Sequence, residues 1–219
     1  MLIATALGDV GRSLRVSISA SLIAMVVGVS AGTVLGLARF RGRRLIATFV
    51  YTGMAIPTVV IGLVVALVLW RSGPLGSLGW SYTLKGMVIA QVLIATPLIT
   101  GITMAAIQAL PPELPDQLLA LGASRRQFVF RLWVEARVPL LAAVMAGFGH
   151  AISEVGAATI VGGNIHDQTR VLTTGIVEDV GKGDFGPALA YGAVLLGLAF
   201  LVNALLTSVQ QRGAAWANS

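Results

Sequence analysis

The chain has 219 residues, 56% of them hydrophobic and 11% charged, where a soluble domain carries about a quarter charged residues. That composition excludes a water-soluble globular protein and points to an all-α, polytopic transmembrane helix bundle forming a single domain over residues 1–219. The formal charge of +6 comes mainly from basic residues beside apolar spans, without aromatic interleaving, so these residues act as topology signals in a lipid membrane and imply no nucleic-acid partner.

The opening MLIATALGDVGRSLR has an apolar part too short and wrongly flanked for a secretory signal, so the first span is expected to stay in the mature protein. Five stretches reach the roughly 20 apolar residues that cross a hydrocarbon core. They lie near Val16 to Ala38, Leu45 to Trp70, Gly86 to Leu110, Val138 to Val161, and Pro187 to Val209. Between the first two, RFRGRR gathers Arg39, Arg41, Arg43 and Arg44, and the positive-inside rule makes that loop cytoplasmic. Alternation then places the N-terminus outside, the Arg71 to Lys85 loop outside, 111–137 inside, 162–186 outside, and the tail with Arg212 inside. Nine of the fifteen Lys and Arg fall on the inner side. Arg12 and Arg15 fall on the outer side, which leaves open an extra N-terminal element or a first segment that does not fully cross.

Helices in lipid meet through small side chains, and two candidate contact stripes stand out: Gly32 with Gly36, and Gly149 with Ser153 and Ala157. Pro57 and Pro97 lie within spans. No internal repeat is visible, which favours a path between identical subunits over a single-chain inverted repeat.

The long polar interruption, PPELPDQLLALGASRRQFVFRLWVEARVP from Pro111 to Pro139, is patterned as two short helices. Pro115 suits a first helical position and Asp116 the positive end of the helix dipole, while Leu114, Leu118 and Leu121 share a face. Gly122 suits the residue after the first helix, and Ser124 with Gln127 makes a capping box for the second. Such an amphipathic helix offers an apolar ridge to a partner protein or rests on the lipid surface.

Glu154 lies among apolar and small residues in GHAISEVGAATIVGGNI, where a carboxylate costs a few kcal/mol and calls for a partner. His150 sits one helical turn earlier. Three roles are open for Glu154: an interhelical hydrogen-bonding strut, part of a gate or substrate path, or one member of a proton-relay or metal pair. No metal site is expected, since two ligands on one helix do not complete one, and the absence of cysteine excludes thiolate ligation and disulfides. The segment GGNIHDQTRVLTTGIVEDVGKGDFG follows; Gly162, Gly163, Asn164, Thr169, Arg170, Thr173 and Thr174 form a donor set suited to a tetrahedral oxyanion, or else belong to an ordinary outer loop. No catalytic constellation is present, and GKGD lacks the spacing and the Ser/Thr of a phosphate-binding loop, so ATP hydrolysis by this chain is not expected.

The Pro111 to Pro139 stretch resembles the EAA loop of ABC importer permeases, with Asp116, Gln117 and Leu118 at the triplet, Gly122 at the glycine, and Leu132 to Glu135 at the tail. The run AGFGHAISEVGAATIVGGNIHDQTRVLTTGI resembles the tungstate permease branch, related to the molybdate permeases, and the likeness extends to AIPTVVIGLVVALVL in the second span. The resemblance implies an inner-membrane homodimer importing tungstate, with molybdate or sulfate next. A cytoplasmic ABC ATPase carrying the ATP and Mg would drive it, an extracytoplasmic oxyanion-binding protein would supply it, and this chain would bind no cofactor. It also implies that Leu114, Asp116, Leu118, Leu121, Gly122, Ala123 and Ser124 couple to the ATPase. Ser153, Glu154, Gly156, Gly163, Asn164, Thr169 and Arg170 are then expected on the substrate path or gate. A self-sufficient ion-coupled carrier using Glu154 and His150 as its proton pair is the alternative, and a non-transporting scaffold is a third.

Overall fold

The first helix, α1 (Leu2–Leu37), has 36 residues and no proline to interrupt it. At 1.5 Å per residue it is about 54 Å long, well beyond a hydrocarbon core of about 30 Å. A computed structural model describes residues 2–215, with side chains for 6–208 and 210; the side chain of Arg212 in the expected inner tail is outside that set. The helices that follow α1 are α2 (Arg43–Ala55), α3 (Thr58–Leu69), α4 (Leu84–Gln108), α5 (Glu113–Ala120) and α6 (Arg125–Glu135). The rest of the chain forms α7 (Arg137–Ile152), α8 (Gly156–Gly162), α9 (Leu172–Lys182) and α10 (Phe185–Ala215).

The central post is α4, which packs against α1, α2, α3, α7 and α8. Its N-terminus is capped by Thr83, whose Oγ1 accepts the Gly86 N–H at 3.3 Å. Pro97 stays inside the helix, its ring against Gly53 of α2. Glycines on α1 receive α4 at four-residue intervals. A Cβ at Gly28 would stand 2.8 Å from Ile99 Cγ2, one at Gly32 2.6 Å from Thr103 Cβ, and one at Gly36 2.8 Å from Ile107 Cβ. The constant offset between the paired numbers makes α1 and α4 parallel, and Gly28 extends the Gly32 and Gly36 stripe read from sequence. The second small-residue stripe is divided: nothing lies within 4 Å of a Cβ at Gly149 and Ser153 is exposed, whereas Ala157 is buried against Gly62.

Parallel packing explains Arg12 and Arg15. Val16 joins the cluster of Met87 near the start of α4, so the residues before Arg15 overrun that start and leave the bundle's apolar depth. At the other end, Arg43 Nε donates to Leu35 O at 2.8 Å and closes α1, while Gly42 supplies the left-handed turn at φ 94°. Leu37 packs on the same cluster as Leu114 and Leu118, so RFRGRR and the polar segment share one end of the bundle.

Two of the five expected spans are broken. The stretch 45–70 is not one helix: Pro57 has no N–H and forces Ile56 into an extended conformation, and α2 meets α3 at 101°. The stretch 138–161 breaks at 153–155, where α7 and α8 meet at 55°. Among the described residues three helices are long and apolar enough to cross a membrane, and up to five spans result when each bent pair counts as one. The polar segment 162–186, expected as a loop, contains α9. The last helix exposes Leu189, Leu196, Phe200 and Leu205, as a helix facing lipid or a second subunit does.

Replacing Gly32 by Leu is expected to destabilise the protein by about 1 to 3 kcal/mol through overpacking against Thr100 and Thr103. Thermal denaturation in detergent measures this, with Gly197→Ala, which meets nothing within 4 Å inside α10, not lowering the transition.

Candidate functional site

The polar segment at the arginine-rich end is built by local chemistry. Helix α5 closes with the Gly122 N–H donating to Leu119 O at 3.0 Å and the Ala123 N–H to Leu118 O at 3.1 Å. Gly122 takes φ 72°, completing a Schellman ending. Helix α6 opens at once: Ser124 N–H donates to Gln127 Oε1 at 2.8 Å, and Gln127 N–H to Ser124 Oγ at 3.4 Å. The expected capping box is therefore present. Pro115 is not the first helical residue, because the helix begins at Glu113; it lies in the first turn, where its missing N–H still costs no hydrogen bond.

The expected face of Leu114, Leu118 and Leu121 is divided. Leu114 and Leu118 are half-buried against Ile107, Leu132, Ala136 and Leu140, which fastens α5 to the bundle. Leu121 is 84% exposed and Leu119 61%, and these two form the outward apolar knob. Asp116, Gly122 and Ser124 are exposed beside them and Ala123 is half-buried. Trp133 Nε1 donates to Thr33 Oγ1 at 2.9 Å and ties α6 to α1 within the glycine stripe.

At mid-depth, the two helix breaks meet. A Cβ at Gly156 would stand 2.7 Å from Val59 Cγ2, and one at Gly62 2.6 Å from Ala157 Cα, so α3 and α8 touch backbone to backbone just beyond Pro57 and Ser153. No proline causes the second break. Ser153 Oγ donates to Gly149 O at 2.8 Å and satisfies a carbonyl at the end of α7. Glu154 Oε1 accepts the Ala157 N–H at 2.9 Å, so this buried carboxylate caps α8, and Thr173 Oγ1 donates to Glu154 O at 2.7 Å. The link between elements thus runs through the Glu154 carbonyl, while its side chain bonds locally. His150 is exposed on α7, which ends before Glu154, so the two do not share a helical face.

The remaining sequence candidates lie apart, where the overrunning start of α1 meets α9 and α10. Arg170 is 4% exposed; its Nη2 donates to Asp179 Oδ1 at 3.0 Å, Nη1 lies 3.5 Å from Glu178, and Nε lies 3.8 Å from Asp9. Arg12 pairs with Asp9, and its Nε donates to Arg170 O at 2.9 Å. Tyr191 Oη donates to Asp9 Oδ2 at 2.7 Å. Thr169 Oγ1 donates to Gly162 O at 2.5 Å, Asn164 Nδ2 donates to Glu178 Oε2 at 2.7 Å, and Gly163 leaves room for the Tyr82 ring. Thr169 and Asn164 therefore donate inside the chain, and Arg170 donates to Asp179 while its buried Nε keeps no hydrogen-bond partner. Asp9, Asp179 and Tyr191, not singled out from sequence, complete this clasp; the signal available was an acid without a partner in an apolar segment. The hydrogen bond from Lys182, helped by Asn164 and Arg170 against partial burial, holds the Glu178 carboxyl below its ordinary value. Its stabilising contribution is present above that ordinary value and is lost as pH falls through the lowered one.

Broken spans that meet at mid-depth, and a capped helix pair projecting from the basic end, define a membrane transport subunit. The chain belongs to the family described as binding-protein-dependent transport system inner membrane component, whose model matches residues 24–213. It is thus a multi-pass membrane protein. It is 40% identical over 199 residues to a tungstate uptake system permease protein of Peptoclostridium acidaminophilum, covering 91% of this chain and 87% of the relative. A probable anion ABC transporter permease protein of Haloferax volcanii is 38% identical over 198 residues, 88% of this chain and 85% of the relative. Among solved structures, a methionine ABC transporter in inward-facing form matches with a TM-score of 0.80 over 97% of both chains at 18% identity, a likeness of fold.

Replacing Glu154 by Gln is expected to keep the cap on α8 and the folded bundle, whereas Ala loses the acceptor and about 1 kcal/mol. Thermal stability in detergent separates the two; equal losses would show that the cap requires the charge.

Proposed function

We propose that this chain is the membrane-spanning permease subunit of an ATP-driven importer of a tetrahedral oxyanion, tungstate first and molybdate or sulfate next. What carries the proposal is the 40% identity to the Peptoclostridium acidaminophilum tungstate permease over nearly the whole chain. Two copies form the path, an extracytoplasmic binding protein delivers the anion and makes the first selection, and a cytoplasmic ABC ATPase holds the ATP and Mg.

The geometry supports each half of that account. Leu119 and Leu121 form a small apolar knob beside the Gly122 break, the sort of anchor that fills a pocket on a partner. Leu114, Leu118 and the Trp133 to Thr33 hydrogen bond join that knob to α1, α4 and α7, so a push at the knob moves the bundle. On the anion side, His150 and Ser153 are exposed on α7 near its break. His150 lies about 20 Å along α7 from Arg137, deep in the core, where an exposed ionisable group belongs on a water-filled path. The two meeting breaks give that path hinges, and Glu154 holds one of them together.

The ion-coupled alternative gains no support from this arrangement. Its proposed pair is separated by the helix end, with Glu154 engaged on Ala157 and His150 exposed. Co-reconstitution with the ATPase and binding protein provides the test. Leu121→Asp is expected to leave the fold intact, because the residue is exposed, and to lower ATP-dependent tungstate uptake by about tenfold or more, a loss of about 1.4 kcal/mol in coupling. Uptake by this chain alone in liposomes, driven by a proton gradient without an ATPase, would contradict the proposal.

A further inference from the structure

We propose that the groove between α1 and the start of α4 binds one anionic phospholipid, its phosphate on Arg15 and Lys85 and an acyl chain along the helices below. The groove encloses about 390 Å³ and is lined by Arg15, Ser19, Trp80, Lys85, Val88 and Ile89 among others, with no acid among its lining residues. Its two cations are uncommitted to any carboxylate. Arg15 is exposed and makes no hydrogen bond or ion pair among the described residues, in contrast to Arg12 one turn earlier. Lys85 Nζ stands 5.7 Å from the centre of the Trp80 ring and otherwise faces outward.

The order of chemistry along the groove matches an amphiphile. Because α1 and α4 run parallel, both lead from the cations toward the middle of the bundle in the same direction. On α1 the face of Arg15 and Ser19 continues into Leu22 and Val26, 54% and 63% exposed. On α4, Val88 and Ile89 lead to Leu93, 49% exposed. Charge comes first, then an indole, then a continuous apolar track; tryptophan favours that boundary between headgroup and hydrocarbon. A small oxyanion would use the cations and leave the track unused, whereas a diacyl phospholipid uses both. Anchoring α1 to α4 at this end would also steady the glycine packing below it. The site is separate from the proposed anion path and does not rest on that function.

Native mass spectrometry of the protein in detergent with added phosphatidylglycerol or phosphatidylcholine tests the site. Phosphatidylglycerol is expected to remain bound in preference to phosphatidylcholine, and Arg15→Gln with Lys85→Gln to lower its retention about tenfold. Arg15→Lys with Lys85→Arg, which keeps both charges, is expected to restore it, separating charge recognition from damage to the fold. Equal retention of the two lipids, or undiminished phosphatidylglycerol in the Gln variant, would overturn the proposal. So would displacement of the lipid by an equal concentration of glycerol phosphate or tungstate, since the groove would then be a free-anion site. A groove closed by a second copy of the chain would also show no lipid preference.

Discussion

The structure depends on the close parallel contact of α1 with α4. Lipid offers apolar helices no hydrophobic reason to associate, so the association rests on dispersion between surfaces close enough to touch. Gly28, Gly32 and Gly36 open a channel along α1 into which Ile99, Thr100, Thr103 and Ile107 of α4 settle. From this post the other elements take their places: α2, α3, α7 and α8 pack on α4, with α3 against α8, and the α5 and α6 pair is hung from its basic end through Leu132 and Trp133.

Polar residues do two kinds of work around that pair. At the end where α1 overruns, Asp9, Arg12, Arg170, Asp179 and Tyr191 form a buried network that fastens α1 to α9 and α10. Such a network is costly to bury and costly to break, so it holds position more than it adds stability. At mid-depth the polar groups serve the backbone: Ser153, Glu154 and Thr173 replace the hydrogen bonds that the α7 to α8 break gives up. Irregular backbone persists at membrane depth only where protein or water satisfies it. Here side chains satisfy it on the inner face and leave His150 and Ser153 on the outer one.

Local signals were legible in the sequence. Composition gave the helical bundle, Gly122 the end of α5, and Ser124 with Gln127 the start of α6, because each depends on neighbours within a few residues. Gly32 and Gly36 were visible as a pattern, though not their partner or its parallel direction. The Ser153 break was not legible, since it rests on Thr173, 19 residues beyond the carbonyl it reaches, and on Val59 from another span. The surroundings of Arg170 were hidden for the same reason: Asp9 lies at the far end of the chain, and only the fold brings it to 3.8 Å from the guanidinium that donates to Asp179. The face of Leu114, Leu118 and Leu121 was read correctly as apolar, but periodicity alone does not say which of its residues the bundle covers.

The central claim is that the face carrying His150 and Ser153 borders a water-filled path at membrane depth. The absence of native cysteine makes a single introduced thiol a clean reporter. In the assembled transporter, His150→Cys is predicted to react rapidly with a small water-soluble thiol reagent and to be protected by tungstate, while Leu196→Cys, on an exposed apolar face of α10, stays unreactive. A thiol at position 150 as inert as the one at 196 would place that face in lipid and contradict the account.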